Sequence, residues 1–209
     1  MDAKPTVFIV DDDPVILKAI AALVELIDLN SESYQSADAF LEAYRPVGPA
    51  CLVLDVRMPG MSGLELQKAL RAAGMALPII MITGHAEIRM AVEAMKAGAV
   101  EFLEKPFRMQ ELCESIQKAI RQEETTWRRR QRRANADRRL EHLTPAERTV
   151  LELIVAGKTN LMMADELGLS VRAIEDRRSR MMRKLAVRSR AELMELVGGA
   201  SVATASTTR

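Results

Sequence analysis

Five polar side chains, Asp11, Asp12, Asp55, Thr83 and Lys105, each stand where a short apolar run ends. Thr6–Val10 runs into Asp11-Asp12-Asp13, Cys51–Leu54 into Asp55, Pro78–Ile82 into Thr83, and Val100–Glu104 into Lys105-Pro106. Runs of this length bounded by turn residues read as buried strands. In open parallel α/β sheets ligands bind just outside the carboxyl ends of the strands, so these four ends are expected to converge on one pocket. There the carboxylates of Asp11, Asp12 and Asp55 offer hard oxygen donors to a divalent cation, Thr83 a hydroxyl and Lys105 a positive charge. That set suits transfer of a phosphoryl group to a carboxylate. Asp11 and Asp12 repel each other unless a metal ion or Lys105 offsets them, which favours a site over a solvated turn. Asp13, followed by Pro14, reads instead as a helix cap. The duller readings, Thr83 as a cap of the next helix and Lys105 as a surface residue, are outweighed by their places in the pattern.

The elements that must position these residues alternate. Ile16, Leu17, Ile20, Leu23, Val24 and Ile27 recur at helical spacing from Pro14 to Leu29. A weak strand follows around Ser31–Tyr34, then a helix from Ala37 to Tyr44 capped by Ser36. Helices are expected over Leu64–Ala73, stopped by Gly74, over His85–Ala97, stopped by Gly98, and from Met109 to about Arg121. Strands alternating with helices imply parallel crossovers and a three-layer α/β sandwich.

The order Asp-Asp, Asp, Thr, Lys-Pro resembles the receiver domain of two-component response regulators. Met95-Lys96-Ala97-Gly98-Ala99, followed by Glu101-Phe102-Leu103-Glu104-Lys105-Pro106-Phe107, resembles its FixJ branch. The likeness covers about residues 5 to 120 and implies a flavodoxin-like, doubly wound, five-stranded parallel sheet. It further implies that Asp55 is the nucleophile that accepts a phosphoryl group from a sensor histidine kinase. By the same resemblance Mg²⁺ (or Mn²⁺) is held by Asp11 or Asp12, Asp55 and the backbone carbonyl of Arg57, and Lys105 and the Thr83 hydroxyl bind the new phosphoryl oxygens. Phe102 is then the aromatic that follows Thr83 inward when two negative charges are added. The resemblance also implies a cis bond between Lys105 and Pro106, where sequence alone favours trans.

Composition separates two halves. Residues 1–120 hold 11 Lys and Arg against 17 Asp and Glu, whereas residues 121–209 hold 19 against 12, so an acidic module precedes a basic one. A polyanionic partner is expected for the second. Between them no Gly or Pro interrupts the helical pattern from Gln110 to Thr144, and Trp127–Arg133 is strongly cationic. Cys113, Ile120, Trp127 and Ala134 recur every seven residues, half of a coiled-coil seam whose companion positions are mostly polar. A helical, dimer-forming linker and a solvated tether both fit, and the arginines fit either DNA phosphates or a charged, solvated face. Cys51 and Cys113 read as core-type thiols. The start of the chain does not read as a signal peptide, and no apolar run approaches the roughly 18 residues of a membrane span. A cytoplasmic protein with no membrane partner is expected.

In the basic half, Leu143-Thr144-Pro145-Ala146-Glu147 is a helix start, with Thr144 as cap, Pro145 in the first turn and Glu147 completing a capping box. Gly157 ends that helix, a short one runs from Asn160 to Leu167 before Gly168, and Ser170 caps a third that buries Ile174, Met181 and Leu185. Two helices joined by a tight turn, the second rich in Arg, fit a helix-turn-helix. Residues 140–198 resemble the four-helix LuxR/NarL-type domain through LTPAERTVLELIVAGKTN, SVRAIE and MMRKL. The resemblance sends Val171–Lys184 into the major groove of promoter DNA. Glu175, Asp176 and Ser179 then face base edges, and Asn160, Arg172, Arg178, Arg183 and Lys184 contact phosphate. Asp176, where relatives often carry an apolar or basic residue, and Arg177, where many carry His, are departures that imply a different operator. Glu175 reads equally as a base contact or as a brace to a neighbouring Arg.

The expected layout is a receiver over 1–121, a basic helical linker over 122–139, a DNA-binding domain over 140–198 that ends in a helix from Ser189 to Val197, and a disordered tail over 199–209. A phosphorylation-dependent transcriptional regulator is the leading reading, with a homodimer on phosphorylation and RNA polymerase as a further partner. An aspartyl-phosphate phosphatase would carry a second Asp two residues after the nucleophile, where this chain has Arg57. A single-stranded RNA binder would want aromatic stacking platforms, and aromatics make up only 3% of the chain. The chain is therefore expected to catalyse only its own phosphoryl uptake and loss.

Overall fold

The computed structural model describes residues 4–45, 47–84 and 88–200. The chain divides into two compact units, Met1–Trp127 and Arg128–Arg209. The first is built on five parallel strands, β1 (Thr6–Val10), β2 (Asn30–Tyr34), β3 (Ala50–Asp55), β4 (Ile79–Thr83) and β5 (Glu101–Glu104), in the order β2-β1-β3-β4-β5. The chain leaves β1 for β2 on one side and then returns to β3 on the other. The β1/β3 boundary is thus the point where strand order reverses, and a crevice opens there at the carboxyl ends. Asp11 follows β1 and Asp55 ends β3, so both expected acids flank it.

Alternation along the strands makes two cores. Phe8, Val10, Leu52, Leu54, Ile79 and Met81 point to one face, covered by α2 (Ala37–Ala43), α3 (Gly63–Ala72) and α4 (Ile88–Lys96). Val7, Ile9, Cys51, Val53, Ile80, Ile82 and Leu103 point to the other, covered by α1 (Pro14–Leu26) and α5 (Met109–Glu141). Of the seven aromatic residues in the chain, Phe8, Tyr34, Phe40 and Tyr44 stack into one cluster, with ring centroids 5.1–6.5 Å apart. Strand β2, polar and exposed except at Tyr34, closes one edge.

Asp13 caps α1, its carboxylate accepting from Val15 N at 2.8 Å, and Ser36 caps α2. Several helix bounds differ from expectation by a few residues. Helix α1 ends at Leu26 rather than Leu29, because Asp28 adopts a positive φ of 57° that breaks the helix. Helix α4 is described from Ile88, and the expected start at His85 lies outside the described residues. Helix α5 is a single helix of 33 residues, so the last helix of the receiver and the basic bridge are one element.

The seven-residue series does not form one seam on α5. Ile120 is buried in the receiver core together with Leu112, Ile116 and Ala119, whereas Ala134 is exposed. Farther on, Ala136 and Leu140 are the buried residues, and Leu140 enters the core of the second unit.

That unit packs α6 (Pro145–Val155), α7 (Asn160–Leu167), α8 (Val171–Lys184) and α9 (Arg190–Gly199) around Val150, Leu151, Ile154, Met163, Ile174, Met181, Leu185 and Leu193. Thr144 and Glu147 form the expected capping box, and Gly168 ends α7 in the left-handed conformation at φ 63°. Helix α9 runs to Gly199, one residue into the expected tail, whose residues 201–209 lie outside the described ones. No helix among the described residues is long and apolar enough to cross a membrane.

Candidate functional site

Four strand ends meet as expected. Asp11 and Asp55 are buried, at 1% and 4% exposure, and the Lys105 ammonium reaches both. Lys105 Nζ donates to Asp11 Oδ2 at 2.6 Å and to Asp55 Oδ1 at 2.7 Å. The second oxygen of each carboxylate takes a backbone amide: Asp13 N donates to Asp11 Oδ1 at 2.9 Å and Arg57 N to Asp55 Oδ2 at 2.7 Å. Thr83 is fully buried at the end of β4, and its carbonyl accepts from Lys105 N at 2.7 Å, which ties the lysine to the strand end. The peptide bond from Lys105 to Pro106 is cis. Phe102 on β5 packs, half-buried, against the core beneath α2, α3 and α4.

Buried charges persist only when paired and hydrogen-bonded, and here each carboxylate has both supports. Burial pushes the Asp55 carboxyl above its ordinary range, although Lys105 and the Arg57 amide pull it down. For Lys105 burial acts downward, but the hydrogen bonds and charges of Asp11 and Asp55 outweigh it and raise the ammonium above its ordinary value. A desolvated carboxylate beside a lysine held cationic has the chemistry for nucleophilic attack, with a receptor for incoming negative charge.

Asp12 departs from expectation. It is exposed while Asp11 turns inward, and among the described residues no three carboxylate, histidine or cysteine side chains gather closely enough to hold an ion by themselves. Asp12 stands at a bend one residue beyond Asp11, outside the strand. The donor set still fits a divalent cation by charge: Asp11, Asp12 and Asp55 against Lys105 leave two formal negative charges, all on hard oxygens, at one end of the sheet.

Sequence reading missed Gly63, the first residue of α3. Its amide donates to Val56 O at 3.0 Å, and a Cβ placed on it would collide with the Asp55 carbonyl oxygen. The available signal was a glycine three residues after Gly60 in a short strand-to-helix connection. Ser62 and Glu65 form a capping box beside it, with Ser62 N donating to Glu65 Oε2 at 2.8 Å.

In the second unit α8 is capped by Ser170 and buries Ile174 and Met181, which turns Arg172, Glu175, Asp176, Ser179, Arg180 and Arg183 outward. Glu175 makes no hydrogen bond or ion pair with the described residues, so the bracing role is not realised there. Three expected phosphate contacts are engaged within the protein. Arg178, half-buried, donates to Asn160 Oδ1 at 3.1 Å, which locks α8 to the start of α7. Lys184 Nζ donates to Glu147 Oε2 at 2.7 Å. Arg180, not anticipated as a contact, lines one groove of about 650 Å³ with the half-buried Arg177 and with Arg183. Its signal was the three-residue spacing of those arginines on one side of a helix.

Glu147, at 5% exposure, joins two helices: it completes the α6 cap through Thr144 N at 2.9 Å and anchors the end of α8 through Lys184. The Lys184 hydrogen bond, followed by the Thr144 amide, holds its carboxyl down at about 2 from an ordinary 4.5. A folded-state value below the unfolded one contributes stability above pH 4.5 that is lost as pH falls toward about 2. Glu147→Gln, which keeps an acceptor for Thr144 but loses the charge, is therefore expected to melt at a lower temperature at pH 7. The gap should close as pH falls from 4.5 toward 2 in thermal melts followed by circular dichroism. A gap that stays constant across that window contradicts the assignment.

Two family models match the chain, the response regulator receiver domain over residues 7–117 and the bacterial regulatory proteins of the luxR family over residues 141–197. The transcriptional regulatory protein FixJ of Azorhizobium caulinodans is 39% identical over 199 residues, covering 95% of this chain and 94% of its own length. The response regulator protein TodT of Pseudomonas putida F1 is 39% identical over 201 residues, covering 93% and 86%. Among solved structures the response regulator StyR superposes with a TM-score of 0.86 at 42% identity, covering 94% of this chain and 99% of its own. Full-length FixJ from B. japonicum superposes with a TM-score of 0.56 at 36% identity, covering 95% and 98%. A receiver fold with its acidic strand-end pocket, followed by a luxR-type helix-turn-helix, places this chain in the NarL/FixJ family of response regulators, which are phosphorylation-dependent transcriptional regulators.

Proposed function

We propose that Asp55 is the phospho-acceptor and that its phosphorylation controls promoter binding by α8. The observation that carries this reading is the single ammonium of Lys105 held between Asp11 and Asp55. An Asp55 oxygen attacks the phosphorus of a phosphohistidine on a sensor histidine kinase; a P–O bond forms, the P–N bond breaks, and the imidazole leaves with its electron pair and takes up a proton. Lys105 then exchanges its bond to Asp55 Oδ1 for a phosphoryl oxygen, and the Thr83 hydroxyl binds another. Asp11, Asp55 and the carbonyl of Arg57, with Asp12 at the rim, would hold Mg²⁺ or Mn²⁺, which neutralises phosphoryl charge when bound. Inward movement of Thr83 opens space that the Phe102 ring follows, changing the surface around β5. Uptake and loss of this phosphoryl group is the only reaction assigned to the chain.

The output is binding of promoter DNA by a homodimer formed on phosphorylation, in the cytoplasm, with RNA polymerase as the recipient of the signal. Receiver, bridge and reader follow the division 1–121, 122–139 and 140–198. Glu175, Asp176 and Ser179 meet base edges, and Arg172, Arg177 and Arg183 meet phosphates. Asn160, Arg178 and Lys184 contribute mainly by fixing the pose of α8. Asp176 accepts from a cytosine amino group and is repelled by phosphate, so it belongs at the base edges. Selection of sites from random duplex DNA should return different preferred bases for Asp176→Ala than for the wild type, with about 1–3 kcal/mol of discrimination lost at the contacted pair. Identical preferred sites would remove Asp176 from the reading surface.

A further inference from the structure

We propose that the arginine stripe on the C-terminal part of α5 is a second DNA contact, a groove that grips backbone phosphates flanking the sequence read by α8. This inference rests on the DNA-binding reading and extends its footprint. Arg129, Arg132 and Arg139 share one side of α5, spaced three and seven residues apart. None of the three makes a hydrogen bond or ion pair with the described residues. With Arg133 they line one wall of a groove of about 680 Å³ in the second unit. Ala136, 3% exposed, lies among them and Leu140 one turn on is buried in the core of that unit, so the stripe is held to the same body as α8.

The opposite wall consists of the turn Ala186–Val187 and of α9, with Glu192 and Glu195. Glu192 is occupied in accepting from Arg188 N at 2.8 Å. Arg129, Arg132 and Arg139 against Glu192 and Glu195 leave the groove cationic, and guanidinium forks match phosphate oxygens. The Ala186–Val187 wall directly follows the C-terminus of α8. Helix α8 has 14 residues and is about 21 Å long, whereas the major groove is only about 12 Å wide. Its last turn therefore emerges at the sugar-phosphate rail while its outward face reads bases, and the groove begins where that rail continues. A rail of regularly spaced anions suits a walled, cationic channel.

The test compares the full-length chain, phosphorylated with a small phosphodonor and Mg²⁺, with the identically treated triple variant Arg129→Gln, Arg132→Gln, Arg139→Gln. Glutamine retains helix propensity, and circular dichroism checks that folding is unchanged. Affinity is measured by fluorescence anisotropy on the selected site alone and on the same site extended at each end by one helical turn, about 10 base pairs. The wild type should gain affinity from the extension and the variant should not, while both select the same core sequence. Each phosphate contact contributes about 0.9 to the salt slope, so with three contacts per protomer a fourfold rise in salt should weaken binding about 40-fold more in the wild type than in the variant for each protomer engaged. Equal slopes and equal gains from the extension overturn the proposal and leave the reading of α8 intact. A wild type that selects no sequence at any salt concentration overturns both.

Discussion

Gly63→Ala should unfold the receiver unit about 10 °C below the wild type, a loss of about 3 kcal/mol or more. The residue opens α3 directly behind the phospho-acceptor strand, and its missing Cβ is what lets the helix start against the Asp55 carbonyl. Any side chain atom there would overlap backbone atoms of Asp55 and Val56, which cannot swing aside as a flexible side chain can. Either the 3.0 Å bond from Gly63 N to Val56 O breaks or Asp55 shifts relative to Lys105. Gly74→Ala is the matched comparison. Gly74 has a φ of 69° and open space around its Cβ direction, so alanine there meets only the left-handed backbone penalty, about 1–2 kcal/mol. Thermal melts of both variants separate a steric cause from a conformational one. A Gly63→Ala variant no less stable than Gly74→Ala would contradict the close approach.

Much of the pocket was legible because its residues stand at the ends of apolar runs, and parallel strands leave no choice about which ends meet. The helix starts at Pro14 and Pro145 were legible for a local reason: caps at Asp13 and Thr144 act within three residues. Asp11 and Asp12 could not be told apart, because composition counts charges and cannot say which of two adjacent acids faces inward. The ion pair of Lys184 with Glu147 spans 37 residues, and the hydrogen bond from Arg178 to Asn160 spans 18. Pairings at such separations depend on how helices pack, not on spacing, so both cations read as free for phosphate. The continuity of α5 was visible as an unbroken stretch without Gly or Pro. Its division of labour was not, because Ile120 and Leu140 differ only in which core they enter. Gly63 escaped notice because its role is defined by an absent atom.

Asp55→Asn should take up no phosphoryl group at all, an all-or-none loss that exceeds any effect expected from the pocket's other residues. The amide keeps an oxygen for Lys105 but has no negative charge with which to attack phosphorus, and an amide oxygen is a far weaker nucleophile than a carboxylate desolvated beside an ammonium. Removing one of two buried acids also relieves repulsion with Asp11, so the variant should fold and can serve as a control. Coupling between pocket and reader is expected to raise promoter affinity between about 5- and 150-fold on phosphorylation. The decisive measurement follows intact mass and DNA anisotropy together for wild type and Asp55→Asn, each incubated with a small phosphodonor and Mg²⁺. The account predicts one added phosphoryl group and tighter DNA binding in the wild type and neither change in the variant. A variant that gains the same mass, or a phosphorylated wild type whose affinity for its selected site does not move, would contradict it.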